Sequence, residues 1–123
     1  VTARVDRGAA ARRSGRRAEA LAVIWLMAKG YRILGFRLRT PQAEIDILAL
    51  RGPVLAVVEV KQRGTLEAAL EAVTPDQRDR LRRAGLALAA GRRGLKDCTV
   101  RLDLIALAPR HPPRHVPNAW PDH

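Results

Sequence analysis

The sequence predicts a mixed α/β domain in which one sheet is covered by helices. Three observations carry that expectation. Residues 15–29 hold an apolar stripe at helical spacing. Residues 31–61 hold three runs of strand character on short connections. A helix-start signature, Thr74-Pro75-Asp76-Gln77, then precedes one more alternating run at 98–107. At 123 residues, the chain suits a single domain with one core.

The elements follow in order. Residues 1–14 are rich in Ala and Arg without a sustained apolar face, and read as a flexible basic arm fraying into the first helix. Ser14 is a candidate N-cap. Ala18, Leu21, Ala22, Trp25 and Leu26 form the stripe of the first helix. Lys29 suits the negative end of that helix, and Gly30 suits a left-handed cap. Tyr31–Arg37 reads as a strand, weakened by Gly35. Thr40-Pro41-Gln42 is a turn, and Glu44–Leu50 is the second strand. Arg51-Gly52-Pro53 reverses the chain into the third strand, Val54–Lys61. Such short links imply an antiparallel meander.

Residues 65–73 suggest a short helix. Thr74 as N-cap, Pro75 at the first helical position and Gln77 as its reciprocal partner then open a long one. That helix should run to about Ala90 and close at Gly91, with Leu81, Ala84 and Leu88 facing the core. Arg78, Arg80, Arg82 and Arg83 lie on its other sides. Cys98–Leu107 is the fourth strand, with Val100, Leu102 and Leu104 alternating. The α/β domain is thus bounded as 15–108, and the Pro- and His-containing segment 109–123 reads as an irregular tail.

The net charge is +11, and 20 of the 23 basic residues are Arg. A polyanion is the natural partner for such an excess, and nucleic acid comes first. Arg16, Arg17, Arg63, Arg78 and Arg82 are the candidate contacts. Aromatic residues make up only 3%, too few for a base-stacking platform of the kind that single-strand-binding folds use. The single cysteine, Cys98, excludes an internal disulfide and a Cys-based zinc site, and reads as a small apolar residue at a strand start. The longest apolar run, 18–28, is too short to cross a membrane and is broken by Glu19. No apolar signal region directly follows the first Arg residues, so a reducing cytoplasm is the expected compartment.

Two residues do not fit a plain buried strand. Glu59 and Lys61 interrupt the run Val54–Val60 and share one sheet face by the two-residue period. Pairing across the 51–53 turn places Asp46 opposite Val58 or Glu59. Two adjacent carboxylates repel unless one is protonated or a cation lies between them. Hard oxygen ligands of this type suit Mg²⁺ or Mn²⁺. In a basic protein that chemistry points to phosphodiester hydrolysis, with the metal polarising the phosphate and Lys61 stabilising developing charge. The simpler alternative is an ion pair of Lys61 with Asp46 or Glu59. Glu44 shares the face of Asp46 and reads as an exposed strand-end residue, with a further ligand as its alternative.

Asp46, followed thirteen positions on by Glu59-Val60-Lys61 and preceded by a helix with Glu19, resembles the PD-(D/E)XK nuclease superfamily. E-I-D-I-L at 44–48, V-E-V-K-Q-R at 58–63, E-A-V at 71–73 and R-L-D-L-I-A at 101–106 resemble, more narrowly, the bacterial YraN-like family, relatives of Holliday-junction resolvases. The likeness covers about 15–120. It implies a restriction-endonuclease-like αβββαβ core, matching the order read above. It also implies that Asp46, Glu59 and Glu19 ligate a metal and that Lys61 is the catalytic lysine. Asp103, in the R-L-D segment, reads as the partner of Arg101 and stays outside that set. Ala18, Ala43 and Gln77 depart from the family, which usually has glycine, glycine and lysine there. Gln77 already has its capping role, and the metal-binding residues are complete.

Three functions compete. The first is a Mg²⁺- or Mn²⁺-dependent endonuclease on DNA, including branched or junction DNA; a symmetric junction would call for a homodimer. The second is a non-catalytic nucleic-acid-binding protein on the same fold. The third, a protein adaptor meeting an acidic partner, has no specific residue in its favour.

Overall fold

The computed structural model describes residues 2–121, with side chains of the first helix from residue 15 onward. Helix α1 spans Thr2–Ala28, β1 Arg32–Arg39, β2 Glu44–Arg51 and β3 Val54–Gln62. Helix α2 spans Leu66–Glu71 and α3 Pro75–Gly91; a 3-10 turn at Arg93–Leu95, β4 at Thr99–Leu107 and β5 at Arg114–Val116 complete the chain. The five strands lie in sequence order in one sheet. β1, β2 and β3 form the antiparallel meander, β4 runs parallel to β3, and β5 returns antiparallel to β4. A parallel step needs a crossover, and α2 with α3 supplies it. The protein is therefore a mixed α/β fold containing the αβββαβ order.

Helices cover both faces. Ala18, Ala22 and Leu26 of α1 pack with Ile47, Ala49, Ala56, Val58 and Ile105 on one face. Leu81, Ala84 and Ala89 of α3 pack with Leu48, Leu55, Val57, Leu102 and Leu104 on the other. Strands β3 and β4 are covered twice, which is why their sequences run nearly continuously apolar. Gly85 sets how closely α3 approaches: a Cβ there would lie 2.7 Å from Val57 Cγ2 and 2.9 Å from Val100 Cγ1. Any side chain would push the helix off the sheet.

The capping box is present: Thr74 Oγ1 accepts from the Gln77 amide at 3.2 Å, and Gln77 Oε1 accepts from the Thr74 amide at 3.4 Å. Thr65 caps α2 with a single side-chain bond, accepting from Ala68 N–H at 3.1 Å. Gly30 has φ +90° and ends α1 as expected.

Three expectations are corrected. Residues 2–14, read as a basic arm, continue α1, so Ser14 lies inside the helix and is not its cap. The Ala- and Arg-rich composition explains this, because both residues are strong helix formers. Second, Leu21 and Trp25 of the predicted core stripe are exposed. The sheet takes the ridge of Ala18, Ala22 and Leu26, with Val23 at its side. Third, the tail read as irregular over 109–123 contributes β5 and buries Trp120, whose indole Nε1–H donates to Leu70 O at 3.1 Å. Only three residues pair in β5, too few for an alternation to be visible in the sequence. Residues 1, 122 and 123 of the predicted arm and tail lie outside the described residues.

Candidate active site

The site begins where two strands part. The β2–β3 ladder runs from Arg51↔Val54 to Ile47↔Val58 and stops, although both strands continue. The next residues are Asp46 and Glu59. Asp46 Oδ2 accepts the Val60 amide at 2.9 Å, so a side chain takes over the acceptor role that a neighbouring backbone carbonyl would have filled. This bond fixes Asp46 and opens the strands beside it. The predicted register is therefore met, and the two carboxylates become neighbours.

Glu59 is only 4% exposed, and its Oε1 has no hydrogen-bond partner. Burial pushes its carboxyl up to about 8, and the negative charge of Asp46 adds to the shift, against the attraction of Lys61. Asp46 is also raised by burial, opposed by the Val60 amide and Lys61. Glu19 and Glu44 push it further upward. Lys61 Nζ lies 4.0 Å from Glu59 Oε2, a loose contact. An ion pair built for stability would be closer and would leave no oxygen unsatisfied. Glu44 is exposed at the strand end, as expected.

Glu19 joins from α1. Glu19, Asp46, Lys61 and Arg63 border one hollow of about 290 Å³, together with Gly15 and Ala18. The Glu19 carboxylate is held there by Arg37 Nε. Arg37 was not foreseen as a site residue. It lies between the pairs Phe36↔Ile47 and Leu38↔Ile45, hence beside Asp46, and has φ 50°. A left-handed backbone is uncommon for a residue with a Cβ, and it turns this side chain toward α1. Local sequence offers no sign of it beyond an Arg among apolar neighbours.

Among the described residues, no three His, Cys, Asp or Glu side chains converge as a ready metal cluster. The tight group is the pair Asp46–Glu59, with Glu19 across the hollow. A partnerless buried oxygen and two mutually repelling carboxylates fit a hard divalent cation. Mg²⁺ in particular is commonly held by one or two carboxylates, with water and substrate phosphate completing its shell.

The candidate cationic contacts separate. Arg16 and Arg17 are exposed on α1, and Arg63 is exposed at the end of β3. Arg78 is partly buried, with Nε donating to Val73 O at 2.9 Å and its guanidinium 5.2 Å above the Trp120 ring. Arg82 is partly buried too, and its Nε has no partner. The i,i+4 pairs Arg80–Asp76 and Arg83–Asp79 offset charge on the exposed side of α3.

Asp103 forms a separate centre. It is 0% exposed and accepts a bidentate contact from Arg101 at 2.8 Å on each oxygen, as the sequence suggested. The Asn118 amide donates to Oδ1 at 3.0 Å. His115 Nε2 donates to Oδ2 at 2.8 Å. The His115 tautomer follows from its other nitrogen, because Lys29 Nζ lies 2.6 Å from Nδ1 and an ammonium can only donate. Arg101 also donates to Tyr31 Oη at 2.6 Å.

Comparison with known proteins places the chain. It is 70% identical over 117 residues to a UPF0102 protein of Caulobacter vibrioides, covering 95% of this chain and 94% of that one. A UPF0102 protein of Caulobacter sp. strain K31 is 73% identical over 116 residues, covering 94% and 84%. One from Paramagnetospirillum magneticum is 47% identical over 115 residues, covering 90% and 89%. The family model described as uncharacterised protein family UPF0102 matches residues 18–107, a stretch that contains Asp46, Glu59, Lys61 and Glu19. The chain belongs to the uncharacterised protein family UPF0102.

Proposed function

We propose that the protein is a divalent-metal-dependent endonuclease that hydrolyses phosphodiester bonds in DNA. One observation carries the reading: buried Glu59, with an unpartnered oxygen, stands beside Asp46 and Lys61 where the β2–β3 ladder ends. Asp46 and Glu59 would hold Mg²⁺ or Mn²⁺, with Glu19 nearby. When bound, such a cation supplies Lewis-acid polarisation of the phosphate and a more acidic water. The protein's own groups do the rest. The Val60 amide keeps Asp46 in place. The dry surroundings of Glu59 favour either a proton or a metal on its carboxylate. Lys61 offers a positive charge to the phosphate oxygens as negative charge grows on them. Arg63, Arg16 and Arg17, with the +11 net charge, attract the polyanion. The D…E-x-K spacing and its likeness to PD-(D/E)XK nucleases support the same reading.

The test is cleavage of labelled linear, flapped and four-way-junction DNA with Mg²⁺ or Mn²⁺. Asp46→Ala and Glu59→Ala should abolish cleavage, and Lys61→Ala should lower it about 100-fold or more. Cleavage by Asp46→Ala and Glu59→Ala as fast as by the parent would refute the assignment.

A second reading is a nucleic-acid-binding protein without catalysis. It is favoured by the absence of a three-ligand cluster among the described residues and by the engagement of Glu19 with Arg37. Salt-sensitive DNA binding with no cleavage of any substrate would support it.

A further inference from the structure

The hollow at Asp46 and Lys61 does not end at Arg63. Arg63 also borders a cleft of about 520 Å³, walled by Leu21, Leu107, Pro109, His111 and Pro113. It borders a second, of about 260 Å³, that extends past Thr65 to Arg114. All three hollows are bordered by Arg63, so they adjoin one another between the candidate site and the start of β5.

The chemistry changes from one hollow to the next. Near Asp46 it is charged. Beyond Arg63 one side is apolar, formed by Leu21, Leu107, Pro109 and Pro113, while Arg63, His111 and Arg114 supply donors. Glu67 is the acid on the smaller cleft. Apolar walls beside several donors match a nucleobase attached to a phosphate. The larger cleft has the size of a small-ligand site, and a base seated between its walls must have left its partner strand.

The walls are also held still. Pro109, Pro112 and Pro113 restrict the backbone, and the His111 amide donates to Ala108 O at 3.2 Å. The loop is tied at both ends, by β4 and by the β5 pairs Ile105↔His115 and Ala106↔Arg114. The bond from His115 to Asp103 secures its far side. A preformed cleft loses little freedom on binding.

We propose that this cleft binds an unpaired nucleotide next to the phosphodiester that is cut, so that the enzyme selects DNA with a single-stranded nucleotide at the cleavage point. The proposal rests on the nuclease reading for its position in the reaction, but its binding test does not need cleavage. Fluorescence anisotropy without metal would compare a labelled oligothymidylate with an abasic strand of equal length. The parent should bind the base-bearing strand about 5-fold or more tightly, as covering a modest part of the base with apolar walls would give. Leu21→Asp and His111→Ala should bring that affinity down to the abasic level. Ile24→Asp, exposed on the same helix outside the cleft, should leave the preference intact. Arg114→Ala should weaken both strands alike and flatten the salt dependence. Equal binding of the two strands by the parent, or an unchanged preference in Leu21→Asp and His111→Ala, would overturn the proposal. A parent that prefers the base-bearing strand yet cleaves nothing would uphold the cleft and count against the nuclease reading alone.

Discussion

Glu59 and Asp103 are the buried acidic side chains among the described residues, on neighbouring strands of one sheet. They stand in opposite conditions. Asp103 meets Arg101, His115 and the Asn118 amide. Burial alone would raise its pKa, but the hydrogen bonds of His115, Arg101 and Asn118 outweigh it and the pKa is lowered. Glu59 has one oxygen with no partner and Lys61 only at 4.0 Å, and is raised to about 8. The difference separates two uses of a buried charge. A satisfied carboxylate fastens structure: Asp103 joins β4 to the C-terminal segment and, through His115 and Arg101, to Lys29 and Tyr31 at the end of α1. An unsatisfied one is a local cost that persists where a function needs it.

The largest expected effect comes from breaking the satisfied side. Asp103→Ala leaves Arg101 and His115 facing an empty site and should destabilise the fold by about 3 kcal/mol or more, read by urea unfolding. A change below about 1 kcal/mol would show that the hub is dispensable. Its pH signature has a definite sign. Because the folded pKa of Asp103 is lowered, its stabilisation is complete above about pH 4 and is lost as pH falls through the folded value. Asp103→Ala should therefore flatten the acid limb of the stability curve.

The unsatisfied side should respond in the opposite direction. The folded pKa of Glu59 is raised, so its favourable contribution is complete below about pH 4.5 and is lost as pH rises through about 8. Glu59→Gln should abolish cleavage yet stabilise the metal-free protein above pH 8, by roughly 1–2 kcal/mol. Thermal melts at pH 5 and pH 9 would read this, and equal melting points of parent and variant at pH 9 would argue against it. The smallest effect belongs to Arg37→Ala. The Arg37–Glu19 pair is half-exposed, so stability should change by less than about 1 kcal/mol. A larger loss in chemical unfolding would make Arg37 a structural residue instead of a site residue.

The legibility of the fold follows the same division. Periodicity and turn chemistry revealed β1 to β4, the capping box at Thr74 and Gln77, and the register that joins Asp46 to Glu59. These depend on neighbours in sequence or across a tight turn. The Arg101–Asp103 pair was legible because its members share a strand face. His115, Lys29 and Tyr31 were not, since they reach Asp103 from distant parts of the chain. Leu21 and Trp25 fit a core stripe in pattern, but only packing against the sheet shows which ridge is used. The left-handed backbone of Arg37 has no local signature, and β5 is too short to show one.

The central claim, that Asp46 and Glu59 exchange a proton for a divalent cation, can be tested by calorimetric titration of Mn²⁺ and Mg²⁺ at pH 7 in buffers of different ionisation enthalpy. Burial beside Asp46 pushes the Glu59 carboxyl up to about 8, so binding at that pH should release close to one proton. Both the release and the affinity should disappear in Glu59→Gln. Absence of binding by the parent, or equal binding by Glu59→Gln, would contradict the claim.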